Sequence, residues 1–488
     1  MKNQLIRLRI DDLHPDGNGI GRTEDGMVVF VSLTVPGDVC EVLIIKETSN
    51  YLIGKLQTLL TPSPHRIPAA CPAFRRCGSC SFLHLSEDFE NELKRSYVKN
   101  AFLRIAHLDV PVEETRSFSM ERYRNKVIYP LSSQDGILTF GYYARHSHSV
   151  VPHEDCLLQD RRFSAIASQF CIEAQELNVS AWDSASGTGV LRHLMLRKNR
   201  KGLFSVTIAA SSRFPEQKTL SDRLMSKFSE IRGVSLNIQP RPDNVILGEE
   251  TILLGGQSSL DDCMCGNTYS ISPVSFYQIH TECAEQMYAT AALLLDLHPD
   301  DILLDLYCGV GTIGLSIAGR DLYLVGVEIV PKAVEDALDN AIRNGRSKKN
   351  TLFVCGDAAT GLTACKNTFG SPSAIIVDPP RKGLSNEVVQ AIIDSSCPKL
   401  LYISCDPASL AKNCSSFVSA GYSIQSVIPF NMFPRTGHVE TVVLLSRKNI
   451  DDHLEFMWTD EEFGDHVRTK KVVKKRLTSK FKLRLMAK

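Results

Sequence analysis

The stretch DILLDLYCGVGTIGLSIA, residues 301–318, is an apolar strand that runs through a glycine turn into a helix. Gly309, Gly311 and Gly314 supply a GxGxxG spacing, which lets a backbone turn tightly and a ligand approach closely. Alone, the pattern also fits a strand-to-helix turn with no ligand. Its surroundings say more. YLVGVEIV, TLFVCGD, SAIIVDPP and KLLYISCDP are short apolar runs, with helical stretches near 331–344 and 385–395 between them. Such alternation implies βαβ units and a parallel sheet buried on both faces, a Rossmann-like α/β fold. Another helical stretch, 276–297, precedes the first strand.

In this kind of sheet the ligand crevice lies at the carboxyl ends of the strands, and acidic residues stand there. Glu328 closes the second strand, where a carboxylate can accept both hydroxyls of a ribose. Asp305, four residues before the first glycine, favours S-adenosylmethionine over a dinucleotide, whose pyrophosphate is itself an anion. Asp357 closes the third strand, where an adenine contact and a plain helix cap are equally open. Asp378 closes the fourth, stiffened by Pro379 and Pro380. Arg381 follows, where enzymes that methylate exocyclic amines use an aromatic ring. Cys405 closes the fifth strand, ahead of Asp406, Pro407 and a helix. A helix N-terminus lowers a thiol's pKa, so a reactive thiolate is expected there. Glu440 enters the last apolar strand as an edge residue or as a positioned base, and His438 could serve instead.

Toward the amino terminus, residues 1–60 read as five short strands with Gly-rich turns, which predict a small closed barrel. TPSPHRIP, 61–68, reads as a linker. Residues 71–100 begin with Cys71, Cys77 and Cys80 and turn helical near 89–103. Three clustered thiols need a distant fourth ligand, and their spacing leaves iron–sulfur and zinc both open. Residues 120–265, rich in β-branched and aromatic runs, suggest an α+β region. The expected divisions are therefore 1–60, 61–269, 270–450 and a charged tail, 451–488. In that tail, residues 467–488 hold ten Lys and Arg and no acid, so it either grips RNA or is a solubilising extension.

Of 488 residues, 43% are hydrophobic and 23% charged, which excludes a disordered or fibrous chain. No run approaches the roughly 20 apolar residues of a membrane span. Met1 to Arg9 carry charge where a signal peptide would be apolar, so a cytoplasmic location is expected. There the fifteen cysteines should be buried thiols, metal ligands or nucleophiles rather than disulfides.

The segments SFYQIH, DLYCGVGTIGLSIA, GVE, VDPPRKG, YISCDPASLAKN and FPRTGHVET, in this order across 270–447, resemble the RNA uracil-5-methyltransferase family. The likeness is strongest to its iron–sulfur branch, which acts on 23S rRNA. RYRNK at 122–126, FGYYARHSHSVV at 140–151 and a barrel similar to the TRAM domain, an OB-like RNA-binding module, extend it over most of the chain. The resemblance implies a class I methyltransferase domain behind a TRAM barrel and a central α+β domain that carries the cysteines. It implies S-adenosylmethionine held around Gln278, Tyr307, Gly309, Thr312, Glu328, Asp357 and Asp378, although relatives often have Asn at the position of Thr312. Cys405 would be the nucleophile and Glu440 the base. Cys156 would join Cys71, Cys77 and Cys80 as ligands of a structural 4Fe–4S cluster. The partner would be a loop or single-stranded segment of 23S rRNA, met by a monomer with no obligate protein partner.

The chemistry explains these residue types. Carbon-5 of uracil is a poor nucleophile until a thiolate adds at carbon-6 and makes an enolate. A base must then remove the carbon-5 proton so that the thiol can leave. The uracil must leave its stack to meet the thiol. Arg122, Arg124 and Lys126, interleaved with Tyr123, read as phosphate and base contacts or as a solvated strand face. Three other readings stand beside this one. A tRNA uridine would change only the substrate. A non-catalytic RNA-binding assembly factor would not need Cys405 and Glu440. An NAD-dependent oxidoreductase would leave Cys405, the cysteine cluster and the barrel without a role.

Overall fold

The computed structural model describes residues 1–183, 186–241 and 243–447. The charged tail, 451–488, read as an RNA grip or a solubilising extension, lies outside the described residues.

The first five strands, Leu5–Leu13, Asn18–Arg22, Val28–Ser32, Val39–Glu47 and Tyr51–Thr61, close into a barrel. Alternation explains the closure. Along Val39–Glu47 every second residue, Cys40, Val42 and Ile44, is buried, and with Leu8, Ile10, Val29, Val31 and Leu52 they fill the interior. The proline-rich segment after the barrel is more than a linker. Ser63 N donates to Asp38 Oδ1 at 2.8 Å, the Arg66 guanidinium pairs with Asp38 at 2.5 Å, and His65 stacks on Phe89. These bonds clamp the exit strand to the helix Glu87–Ala101.

A seven-stranded sheet forms the middle of the chain, from Glu250–Gly256 at one edge to Val150–Pro152 at the other. The helices Arg161–Glu176 and Gln217–Lys227 pack on it. Only the pair Phe204–Ala210 and Ile231–Ile238 is parallel, as expected of an α+β region.

The second seven-stranded sheet comprises β1 (Ile302–Leu306), β2 (Tyr323–Glu328), β3 (Thr351–Cys355), β4 (Ala374–Val377), β5 (Lys399–Ser404), β6 (Ser423–Phe430) and β7 (Glu440–Ser446). Its order is β3-β2-β1-β4-β5-β7-β6, parallel except for β7, which runs antiparallel to both neighbours. The continuous apolar strands have the predicted cause. Leu304, Leu306, Leu400 and Tyr402 enter one core, while Leu303, Leu401 and Ile403 enter another on the opposite face. Both cores draw on residues upstream of 301. Val98, Ala101, Phe102 and Val112 cover one face, and Met264, Tyr269 and Ile271 cover the other.

The helix expected over 276–297 begins only at Thr281, because His280 takes the N-cap and accepts from Cys283 N. It stops at Leu295, where Asp296 turns left-handed with φ +43°. The residues before it, 272–280, are left outside helix and strand, with Gln278 among them buried.

Candidate active site

The glycine turn after β1 is built around two carboxylates. Gly311, at φ +82°, caps the helix Thr312–Ile317 in a conformation that side chains rarely adopt. Tyr307 also has positive φ, +68°, a strained geometry for a bulky residue and one that marks functional turns. Asp305 is fully buried. Its Oδ2 accepts Gly314 N at 2.8 Å, while Oδ1 has no partner. Burial raises its pKa to about 7; the Gly314 bond opposes the rise, and the charges of Asp378 and Glu328 add to it. Glu328 crosses to the same turn. Its Oε2 accepts Gly309 N at 3.2 Å, and its Oε1 accepts Ile329 N and Val330 N at 2.8 and 3.0 Å.

On the other side of the crevice Gln278 and Thr312 are buried, at 4% and 7% exposure. The phenol of Tyr288, also buried and without a hydrogen bond, lies near both and near Asp378, and burial is the main cause of its raised pKa. Nothing in the sequence singles out Tyr288, because it sits inside an apolar helix face. Asp357 caps the helix Ala358–Thr368 through Thr360 N at 2.8 Å and is exposed. The cap is thus the role with a partner in the structure, and that bond holds its pKa down.

Cys405, Asp378 and Glu440 meet at the ends of β5 and β4 and the start of β7. Glu440 is 5% exposed, and its Oε2 has no partner. Burial, then the charge of Asp378, raises its pKa well above the usual carboxylate range, with Arg381 opposing. Burial also lifts Asp378 to about 7. Two carboxylates this close do not both ionise at neutral pH, so the pair retains a proton.

Cys405 departs from expectation. Its pKa is pushed up to about 11, first by burial, then by Glu440 and Asp378, with Arg381 opposing. The helix N-terminus that should lower it is already used, because Asp406 caps Pro407–Ser419 through Ser409 N. Labelling of Cys405 by iodoacetamide, followed by peptide mass spectrometry, should accelerate about tenfold per pH unit from 7 to 9. A plateau near pH 8 would contradict the raised pKa.

The stretch 122–126 is turned inward rather than offered to RNA. Arg122 binds both oxygens of Asp155, at 2.6 and 2.7 Å, and the carbonyls of Cys156 and Gln159. Tyr123 stacks on His280 and donates to Pro434 O at 3.2 Å. Burial, with Arg197 and Arg124 nearby, brings the Lys126 pKa down to about 8. Arg122 fastens the Cys156 loop, although its side chain stays 30% exposed.

Cys71, Cys77, Cys80 and Cys156 are partly exposed and gathered together. Gly78 N donates to Tyr143 O, and Arg145 to Cys80 O, which set the first three beside the central sheet. Burial raises the Cys80 thiol, and the charges of Cys156, Cys77 and Cys71 add to that, against Arg124. Among the described residues no three His, Cys, Asp or Glu side chains stand close enough to hold a metal ion.

The family follows from full-length relatives. An uncharacterised RNA methyltransferase of Streptococcus agalactiae is 35% identical over 448 residues, 91% of this chain and 99% of its own. Another, from Halalkalibacterium halodurans, is 32% identical over 452 residues, 92% of this chain and 98% of its own. The tRNA (uracil-5-)-methyltransferase family matches residues 264–448, and a TRAM domain matches residues 1–56. The chain belongs to the RNA uracil-5-methyltransferases. This S-adenosylmethionine-dependent family excludes the oxidoreductase reading of the glycine turn. The fold of the methyltransferase agrees with that of Pyrococcus abyssi tRNA (uracil-54, C5)-methyltransferase, solved with S-adenosyl-L-homocysteine. That comparison has a TM-score of 0.70 at 22% identity and covers 90% of this chain and all of the other. No helix among the described residues is long and apolar enough to cross a membrane.

Proposed function

We propose that this methyltransferase makes 5-methyluridine in 23S rRNA through a covalent adduct of Cys405. The observation that carries the reading is the shared electrostatic field of Cys405, Asp378 and Glu440 at one end of the sheet. The cofactor supplies an electrophilic methyl on a sulfonium cation. The crevice fits such a cation: Asp305 keeps an unpaired buried oxygen, and Asp378 lies within electrostatic reach of both Tyr288 and Cys405. Gln278, Tyr307, Gly309, Thr312, Glu328 and Asp378 would hold it, with Asp357 at the rim.

Burial and like charge disfavour the ionised forms of Cys405 and Glu440, and a cation held in the crevice would favour them. After losing its thiol proton to water, Cys405 adds to carbon-6 and sends the electron pair to the uracil carbonyl, so that carbon-5 can take the methyl. Glu440, as its carboxylate, takes the proton from carbon-5 as the Cys405–carbon bond breaks and the thiolate leaves. His438 is the weaker candidate. Burial, then Arg381, Lys94 and Arg124, lowers its pKa, which makes it a poorer proton acceptor.

Cys71, Cys77, Cys80 and Cys156, four thiols within each other's electrostatic reach, would be the ligands of a 4Fe–4S cluster, and zinc is the other group that takes four thiolates. Protein purified without oxygen should be brown, with about four irons per chain, and Cys80→Ser should lose both colour and iron. One zinc per colourless chain would contradict the cluster.

A tRNA uridine is the second reading, favoured by the shared fold with a tRNA enzyme. Incubation with labelled cofactor and either 23S rRNA or tRNA transcripts, with mapping of 5-methyluridine, decides between them. Label confined to tRNA would overturn the rRNA assignment.

A further inference from the structure

Glu90 and Lys94 stand one turn apart on the helix Glu87–Ala101, a spacing that usually marks a surface ion pair. Here both side chains are fully buried. Lys94 Nζ donates to Glu90 Oε1 at 2.9 Å, to Asn431 Oδ1 at 2.5 Å and to Phe433 O at 3.1 Å, which uses all three of its protons. Glu90 Oε1 also accepts Asn431 Nδ2 at 3.1 Å and Arg435 N at 2.9 Å. Every loop partner lies in 431–439, the connection from β6 to β7. That loop ends at Glu440, whose ladder partner is Phe430, the neighbour of Asn431.

Two other parts of the chain grip the same loop. Arg435 O accepts Ser81 N and Phe82 N, both at 3.0 Å, from the cysteine segment. Gly437 lies so close to the barrel that a Cβ there would stand 1.9 Å from Pro15 O. A buried ion pair adds little net stability compared with apolar packing of the same volume. What it adds here is direction, since each bond fixes one point of the loop beside Glu440.

We propose that Glu90 and Lys94 are positioning residues for proton removal, holding loop 431–435 so that Glu440 faces carbon-5 of the uracil bound to Cys405. The inference rests on the reading of Glu440 as the base. Lys94→Met alone strands the buried Glu90 carboxylate, so the informative variant is Lys94→Met with Glu90→Gln, which removes both charges and leaves Arg435, 3.5 Å from Glu90 Oε2, its bond to Leu85 O at 3.1 Å. Asn431→Ser, which shortens one anchor, is the second variant.

The test uses the full-length protein, RNA substrate and S-adenosylmethionine, with Glu440→Gln as reference. It follows the protein–RNA adduct on denaturing gels alongside methyl transfer in a single turnover. Both variants should transfer the methyl at close to the wild-type rate, release product about 100-fold more slowly and accumulate adduct. Equal slowing of methyl transfer and release, with no accumulated adduct, would reduce the pair to a structural role and overturn the proposal. If Glu440→Gln itself accumulates no adduct, the fault lies with Glu440 as base rather than with the pair. Heating curves for each variant show whether a loss of activity is a loss of fold.

Discussion

Cys405→Ala is expected to lower 5-methyluridine formation by about 10⁴-fold or more, while S-adenosyl-L-homocysteine still binds with near wild-type affinity. The size follows from the chemistry, since without addition at carbon-6 no enolate forms and carbon-5 cannot attack. The selectivity follows from the fold. Cys405 stands after β5, whereas the candidate cofactor contacts Tyr307 and Gly309 follow β1 and Glu328 ends β2. Cys405 is only partly buried, so losing its sulfur opens no large cavity. Calorimetry with S-adenosyl-L-homocysteine and a labelled-methyl assay check the two halves. Activity that survives in Cys405→Ala would remove the covalent mechanism.

Glu440→Gln should behave differently: methyl transfer continues, turnover falls by about 10² to 10⁴-fold, and RNA remains attached to the protein. Glutamine keeps the shape but cannot accept the carbon-5 proton. Burial disfavours the charged form of Glu440, and the amide has the same shape, so the fold should be little disturbed. The stalled adduct should carry the new methyl, visible as labelled RNA that migrates with the protein in denaturant. A variant that turns over freely would move the base elsewhere, with His438 next in line.

The parallel sheet was legible because a strand buried on both faces is mainly apolar, as ILLDL and KLLYIS are apart from Asp305, Lys399 and Ser404. The barrel was legible because five short runs separated by Gly-rich turns suit a small closed barrel. Glu328 and Asp378 could be placed at the crevice because each stands at the carboxyl end of an apolar run. The missing parts depend on contacts distant in sequence. Lys94 and Asn431 are 337 residues apart, and no local pattern separates a buried Glu–Lys pair from a solvated one. The thiol of Cys405 was misjudged for a similar reason: a helix N-terminus is a local feature, whereas Glu440 and Asp378 arrive from two other strands. Arg122 looked like an RNA contact because the sequence does not show Asp155 folding back on it.

The central claim is a carbon–sulfur bond between Cys405 and a uracil ring. The direct measurement is tandem mass spectrometry of Glu440→Gln after incubation with RNA and S-adenosylmethionine, following nuclease and protease digestion. The account predicts a methylated uridine nucleotide attached to the peptide that contains Cys405. An adduct on a different cysteine, or methylated RNA with no protein adduct at any time, would contradict it.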